Sequence, residues 1–286
     1  MSTLEALLLG IIQGATEFLP ISSSGHLVIS QHLLGITEPE LLFDIILHVG
    51  TLLAVIAFYR SDIREVVVGL NDGVRSLFSD KGLDGFAEPE GARLALLTVL
   101  ATVPTGFIGV FMDKLLDPAD GSEPFITAKV VAGLLLVNGA VLFVNRFLGR
   151  SPAKKRTSKF ALWNITPSVA LTIGIVQGMA VTPGFSRSGL TITAALALGI
   201  LRVEAARFSF LISIPAILGA LVFKFDSSVF TDATSGQLLS FGLGALAAAG
   251  VGYVCIVILV EMLKKARFHH FSWYCWAVGL AGLWLL

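Results

Sequence analysis

Residues near the N-terminus combine three kinds of group that occur in hydrolytic sites. Glu17 is followed by Ser22, Ser23 and Ser24 and then by His26, so a carboxylate, three hydroxyls and an imidazole fall within ten residues. A serine beside a histidine base can act as a nucleophile, and a carboxylate can orient the imidazole or hold a divalent cation that clamps phosphate. The segment is therefore a candidate for half of a hydrolytic site.

A second polar segment, later in the chain, has the composition of an anion site. It contains Gly184, Ser186, Arg187, Ser188 and Thr191. Glycine permits close approach of the backbone, the helix that follows presents free N–H groups, and arginine offers a planar fork suited to phosphate oxygens. Alternatively, the serines simply cap a helix. Capping explains the serines but not an arginine inside an apolar stretch.

The composition places both segments in a membrane protein. Of the 286 residues, 55% are hydrophobic and 14% are charged, and the mean hydropathy is +0.84. Soluble domains carry about 25% charged residues. The formal net charge is zero, so no global field would attract nucleic acid. We therefore expect the chain to lie in lipid without a nucleic-acid partner.

Six stretches are long and apolar enough to span a bilayer. They are residues 40–60, 92–112, 127–148, 204–224, 237–262 and 270–286. Two other stretches, 3–34 and 160–200, are interrupted by the polar segments, so that each arm is too short to cross. Irregular backbone at membrane depth must be covered by protein or water, which predicts a re-entrant helix–loop–helix in each.

The two interrupted stretches resemble each other. Residues 7–29 align with 171–193 without gaps, and both contain GI-x-QG followed at the same distance by S-x-SG. Three predicted spans separate the copies, and an odd number inverts the second copy. We therefore predict an all-α polytopic membrane protein, a single domain with an inverted-topology repeat in residues 1–150 and 151–286. Such repeats commonly place a site between their broken helices near the bilayer midplane.

Basic residues predict the orientation of the chain. Three groups of them, around residues 60–93, 146–159 and 264–267, fall on one side if there are six spans. The positive-inside rule makes that side cytoplasmic. The acidic loop at 113–126 and both termini are then expected outside, and the first re-entrant segment enters from the outer face.

Several polar residues have two interpretations. Gln13 lies one helical turn before Glu17, so both face the same side. The two could ligate one metal ion, or Gln13 could hydrogen-bond to Gln177 of the other copy. Glu17 and Arg187 could act on a substrate, or they could form an ion pair that only joins the copies. Asn138 is expected to help pack the helices.

Three motifs together identify a family. They are residues 13–20 (QGATEFLP), 22–26 (SSSGH) and 183–191 (PGFSRSGLT). They resemble the signature segments of bacterial undecaprenyl-diphosphate phosphatase, the bacitracin-resistance family, and the resemblance covers both copies and the six-span layout. It implies a hydrolase of the bacterial inner membrane that removes one phosphate from a C55 isoprenoid diphosphate. The product is the lipid carrier for peptidoglycan and other wall polymers, and bacitracin competes for the substrate.

The resemblance also implies roles for individual residues. Glu17 and Gln13 would bind a divalent cation, Mg²⁺ or Ca²⁺, Arg187 would grip the diphosphate, and Ser23 or His26 would be the nucleophile. We favour Ser23, with His26 taking its proton, because a neutral imidazole is a competent base near pH 7. A phosphohistidine at His26 stays open. Further substrate contacts are expected from Gly184, Ser186, Ser188, Thr191, Ser22 and Ser24.

Transport is the alternative function. Inverted repeats with broken helices are also the layout of secondary transporters, so a polyprenyl-phosphate flippase could share this scaffold. The expected partners are the polyprenyl diphosphate and the bilayer, and a homodimer stays open. With both termini outside, the site would open to the outer face of the plasma membrane.

Overall fold

The fold is entirely helical wherever the structure describes it. The computed structural model describes residues 2–36, 41–78, 90–116, 127–148, 165–224 and 235–285. Within those ranges the chain forms α-helices and one 3-10 turn, and no strand. The prediction of an all-α protein is confirmed. The helices are α1 (Thr3–Phe18), α2 (Ser23–Leu33), α3 (Leu41–Phe58), α4 (Arg60–Leu77), α5 (Glu90–Leu116), α6 (Ala128–Val144), α7 (Pro167–Met179), α8 (Arg187–Ala197), α9 (Arg202–Lys224), α10 (Ser235–Lys264) and α11 (Phe271–Leu285).

Both interrupted stretches are helices with a break, as predicted. α1 ends before Pro20, and α2 starts with Ser22 as its N-cap, whose Oγ accepts from the Gly25 N–H at 3.2 Å. In the second copy, α8 starts with Ser186 as its N-cap, whose Oγ accepts from the Gly189 N–H at 3.1 Å. The shared S-x-SG pattern is therefore a capping motif, in which serine satisfies an N–H group that the helix leaves unpaired.

Several of the helices are long and apolar enough to cross a membrane. Each of the six predicted spans coincides with a helix, namely α3, α5, α6, α9, α10 and α11. By length and composition α5, α9 and α10 can each cross a bilayer, and α3 and α4 pass the same test together although they are bent by 79°. The chain is therefore a multi-pass membrane protein. Much of the predicted outer loop at 113–126 and of the basic segment at 146–159 lies outside the described residues.

The helix α4 was not predicted from the sequence, where its arginines were counted only as part of the basic group around residues 60–93. Ile63, Val66, Leu70 and Val74 recur at helical spacing along it, so it is amphipathic rather than apolar. A search for continuous apolar runs cannot detect such a helix. α4 packs on the start of α5, where a Cβ on Gly69 would lie 2.6 Å from backbone atoms.

The GI-x-QG pattern marks close helix packing in both copies. A Cβ on Gly10 would lie 2.2 Å from the carbonyl oxygen of Gly244 on α10, and one on Gly174 would lie 2.1 Å from that of Ala101 on α5. Backbones can approach so closely only at glycine. The first helix of each copy therefore lies directly against a long helix of the opposite half of the chain.

The end of α1 is anchored by an aromatic contact. Phe18 is fully buried in the main apolar core, and its ring meets that of Phe210 on α9 edge-on, with centroids 5.6 Å apart. A Cβ on Gly252 would lie only 2.6 Å from the Phe18 ring. Because Phe18 is held so tightly, the backbone of its neighbour Glu17 has a defined position at the first break.

Candidate active site at the two helix breaks

An ion pair joins the two breaks. Arg187, the first residue of α8, donates from Nη2 to Oε1 of Glu17 in the last turn of α1 at 2.5 Å. The Glu17 side chain is 6% exposed and the Arg187 side chain 18%. The two residues are 170 positions apart in sequence, so this contact depends on the packing of the two halves.

The other oxygen of the Glu17 carboxylate receives two more hydrogen bonds. Ser23 Oγ donates to Oε2 at 2.6 Å, and Gln13 Nε2 donates to it at 3.0 Å. The carboxylate therefore accepts hydrogen bonds from residues of α1, the start of α2 and the start of α8. Gln177 donates instead to Thr105 Oγ1 at 3.2 Å and to the carbonyl of Ile212 at 3.3 Å, so the predicted alternative of a Gln13–Gln177 bond is wrong.

The imidazole of His26 has a defined tautomer. Its Nδ1 lies 2.7 Å from the carbonyl oxygen of Ser22, and its Nε2 lies 2.9 Å from the hydroxyl of Tyr274 on α11. A carbonyl can only accept, so Nδ1 carries the hydrogen and Nε2 of the neutral ring carries the lone pair. Nε2, which accepts from the Tyr274 hydroxyl in this structure, is thus the ring nitrogen that could take up a proton once that bond is broken.

The Ser23–His26 pair that the sequence analysis favoured is not formed in this structure. The Ser23 hydroxyl donates to Glu17, and His26 binds Ser22 and Tyr274. The physical reason is the position of the carboxylate, which lies beside the start of α2 and competes for the hydroxyl hydrogen more strongly than a neutral nitrogen does.

The predicted catalytic and substrate-binding side chains at the starts of α2 and α8 divide into two groups by burial. Ser23, Ser24, His26 and Arg187 are all partly exposed. Four other hydroxyl groups are buried and already engaged in the protein: those of Ser22 and Ser186 in caps, that of Ser188 with Ser186, and that of Thr191 with Ser209 and the Arg187 carbonyl. Their assignment as substrate contacts stays a prediction. In the structure they hold the starts of α2 and α8 in place.

The first break contains strained backbone. Ser22 has a φ of 71°, which is unfavourable for a residue with a side chain, and in the second break Gly184 has a φ of 100°. Ser22 Oγ also accepts a hydrogen bond from the Gly184 N–H at 3.2 Å. Strain of this kind costs about 1–3 kcal/mol and persists where surrounding contacts enforce it, often at functional sites.

The side chain of Asn138 on α6 forms hydrogen bonds to both breaks. Its Nδ2 donates to the carbonyl of Pro20 at 3.0 Å, and its Oδ1 accepts from the backbone N–H of Ser186 at 3.1 Å. The side chain is completely buried. From the sequence, Asn138 was expected only to help pack the helices. An amide inside an apolar run was the available signal, but the run does not reveal what the amide binds.

Two polar atoms around Glu17 have no hydrogen-bond partner among the described residues. They are Nη1 of Arg187 and Oε1 of Gln13, and both are buried. Unpaired buried polar atoms are rare in native proteins. A guanidinium nitrogen donates and an amide oxygen accepts or ligates, so these atoms suit an anion and a cation respectively.

The side-chain oxygens near Glu17 supply only some of the ligands that a divalent cation needs. Within the described residues there is no group of three or more His, Cys, Asp or Glu side chains arranged to hold a metal ion. Glu17 and Gln13 are hydrogen-bonded neighbours with oxygen atoms, the ligand type that Mg²⁺ and Ca²⁺ prefer. Mg²⁺ usually binds through one or two carboxylates together with substrate phosphates and water. The pair therefore fits a cation that phosphate oxygens help to hold.

Comparison with known proteins identifies the family. A family model described as bacitracin resistance protein BacA matches residues 6–281. The chain belongs to this family. A protein of Desulfosudis oleivorans is 41% identical over 100% of this chain and 99% of its own length, and one of Desulfatibacillum aliphaticivorans is 42% identical over 98% and 97%. A protein of Methanobrevibacter smithii is 35% identical over 98% and 96%. All three are named undecaprenyl-diphosphatase.

Membership of the BacA family confirms the resemblance that the three motifs predicted. The relatives' shared name is that of a hydrolase, which favours the phosphatase prediction over the flippase alternative. The match from residue 6 to residue 281 includes both helix breaks, so the site described above belongs to the part of the chain that the family shares.

Proposed function

We propose that this chain hydrolyses undecaprenyl diphosphate to undecaprenyl phosphate and inorganic phosphate. One observation carries the proposal: an arginine in a largely buried site has one nitrogen on Glu17 and another, Nη1, with no partner among the described residues. A diphosphate offers oxygens to such a nitrogen, and the lipid-embedded helices suit a polyprenyl tail. The name of the relatives supports the same substrate.

The binding of the diphosphate follows from the two helix starts. α2 and α8 both begin at the breaks, and the N-terminus of a helix favours negative charge. Arg187 adds charge-assisted hydrogen bonds to the phosphate oxygens. Phosphoryl transfer needs mainly positioning and neutralisation of charge, which these groups supply.

The geometry favours Ser23 as the nucleophile and Glu17 as the acceptor of its proton. The hydroxyl already donates to the carboxylate at 2.6 Å. Ser23 Oγ forms a bond to the terminal phosphorus, and the bridging P–O bond breaks to release undecaprenyl phosphate. Water then attacks the phosphoserine and gives a proton to Nε2 of His26. The bond between phosphorus and Ser23 Oγ breaks, Glu17 returns its proton to Ser23 Oγ, and inorganic phosphate leaves. This order replaces the predicted Ser23–His26 pair.

A divalent cation is part of the proposal. Glu17 and the orphaned Oε1 of Gln13 would hold it together with phosphate oxygens. Such an ion, when bound, would neutralise negative charge on the diphosphate. Gln13 would hold the ion through Oε1, whereas its Nε2 is the atom that donates to Glu17.

The proposed topology has six spans and two re-entrant segments in an inverted repeat. An odd number of spans between the copies and the distribution of basic residues support it. Both termini lie outside, and the site opens to the outer face of the plasma membrane, where bacitracin would compete for the substrate.

Cysteine labelling tests the topology. In spheroplasts, a membrane-impermeant maleimide should label Thr127→Cys at the start of α6, whereas Lys265→Cys after α10 should react only once the membrane is opened. Both positions are exposed, and the native Cys255 and Cys275 are buried and serve as the unlabelled background. Labelling of both variants in closed spheroplasts would contradict the inverted repeat.

Phosphate release by the purified protein tests the function. The wild type should release phosphate from undecaprenyl diphosphate in detergent. Arg187→Ala should lower kcat/KM by roughly a hundredfold or more, because it removes charge-assisted hydrogen bonds. Arg64→Ala, at an exposed position on α4, is the matched control and should keep wild-type activity. A folded wild type that releases no phosphate, or an Arg187→Ala variant with full activity, would refute the proposal.

A trapped intermediate tests the order of steps. His26→Gln should slow the second step and accumulate phosphoserine at Ser23, detected by mass spectrometry of peptides after an acid quench. His32→Gln, an exposed histidine on α2, should accumulate none. A phosphate on His26 of the wild type after a parallel alkaline quench, still present in Ser23→Ala, would show that histidine is the nucleophile and that this order is wrong.

A further inference from the structure

The hydroxyl of Tyr274 occupies the reactive nitrogen of His26. It lies 2.9 Å from Nε2, and the two rings are nearly parallel, 14° apart, with centroids separated by 5.6 Å. Because Nδ1 donates to the Ser22 carbonyl, Nε2 can only accept, and the phenol is the donor. While this bond exists, the lone pair of Nε2 cannot take a proton from water.

The backbone of Tyr274 is fixed at the first break, whereas its ring is not enclosed. Its neighbour Cys275 is fully buried, with Sγ 3.4 Å from Asn138 Nδ2 and 3.7 Å from the Pro20 carbonyl. Tyr274 itself is 43% exposed, whereas Tyr59, a tyrosine in the core, is 6% exposed. The phenol can therefore move while its attachment point stays beside the site.

We propose that Tyr274 is a substrate-binding residue whose phenol moves from Nε2 of His26 to an oxygen of the terminal phosphate when the diphosphate enters. The inference rests on the proposed hydrolysis at the two breaks. A water attacking near Nε2 must lie within hydrogen-bond distance of that nitrogen, so the phosphoryl group also comes within reach of the phenol. Donation to an anionic oxygen is stronger than donation to a neutral nitrogen.

The exchange has two consequences for the reaction. It frees the lone pair of Nε2 at the moment when a phosphate is present, and it adds a donor from α11 to the group formed by Arg187 and the helix starts. Before the substrate binds, the same phenol keeps His26 oriented. Tyr274 lies on α11 and was not predicted as a site residue, because no sequence motif or residue spacing relates it to either break.

Steady-state kinetics of Tyr274→Phe test the proposal. The variant keeps the ring stacked on His26 and removes only the hydroxyl. We expect KM for undecaprenyl diphosphate, and the inhibition constant of inorganic pyrophosphate, to rise together by roughly tenfold to a hundredfold, the effect of one hydrogen bond to a charged group. We expect kcat to stay within about twofold, since Nε2 is already unblocked. Tyr253→Phe on α10, a tyrosine of similar exposure (41%), is the matched control.

Other kinetic outcomes separate the possible failures. A fall in kcat with unchanged KM would mean that the phenol only orients the imidazole, and unchanged constants would mean that it has no role; either result overturns the proposal. A wild type without hydrolysis would instead defeat the proposed function. A measurement on the wild type does not depend on the variant folding: the nitrogen-15 resonance of His26 Nε2 should shift when pyrophosphate is added, and an unchanged resonance at saturation would also overturn the exchange.

Discussion

The ion pair between Glu17 and Arg187 is the interaction on which the rest of the site depends. Each residue alone would be a largely buried, unpaired charge, which is costly, whereas together they are neutral and bring the two helix breaks into contact. Glu17 also accepts from Ser23 and Gln13, so the pair holds the proposed nucleophile and the proposed metal ligand Gln13 in place. Arg187 also has a buried nitrogen, Nη1, without a partner among the described residues, and this is the nitrogen that we propose binds the diphosphate.

The scaffold around the pair explains how such a site can exist in lipid. Close glycine contacts at Gly10 and Gly174 set the two copies against long helices of opposite halves. The hydroxyls of Ser22 and Ser186 each accept a hydrogen bond from an N–H group at the start of α2 and α8. The Asn138 side chain donates to a carbonyl of the first break and accepts from a backbone N–H of the second. The broken backbone is thus covered by protein, which is the condition under which irregular structure is stable in a membrane.

The sequence could predict those parts that leave a local pattern. The two breaks, the similarity of their sequences and the Glu17–Arg187 ion pair, one of two interpretations of these residues, could be predicted from polar residues inside apolar runs. The acceptor of the Ser23 hydroxyl and the contact of Tyr274 with His26 could not be predicted, because both depend on how helices distant in the chain pack. The amphipathic α4 was missed because its apolar residues form a stripe rather than a run.

A double-mutant cycle on the free energy of unfolding in detergent tests most directly whether the ion pair holds the two breaks together. Glu17→Gln and Arg187→Gln each leave one buried charge unpaired, and breaking a buried pair in this way costs about 3–5 kcal/mol. If Glu17 and Arg187 stabilise each other, the double variant should be much less destabilised than the sum of the single variants. Strictly additive losses would show that the two residues do not interact, and a site built on their ion pair would be contradicted.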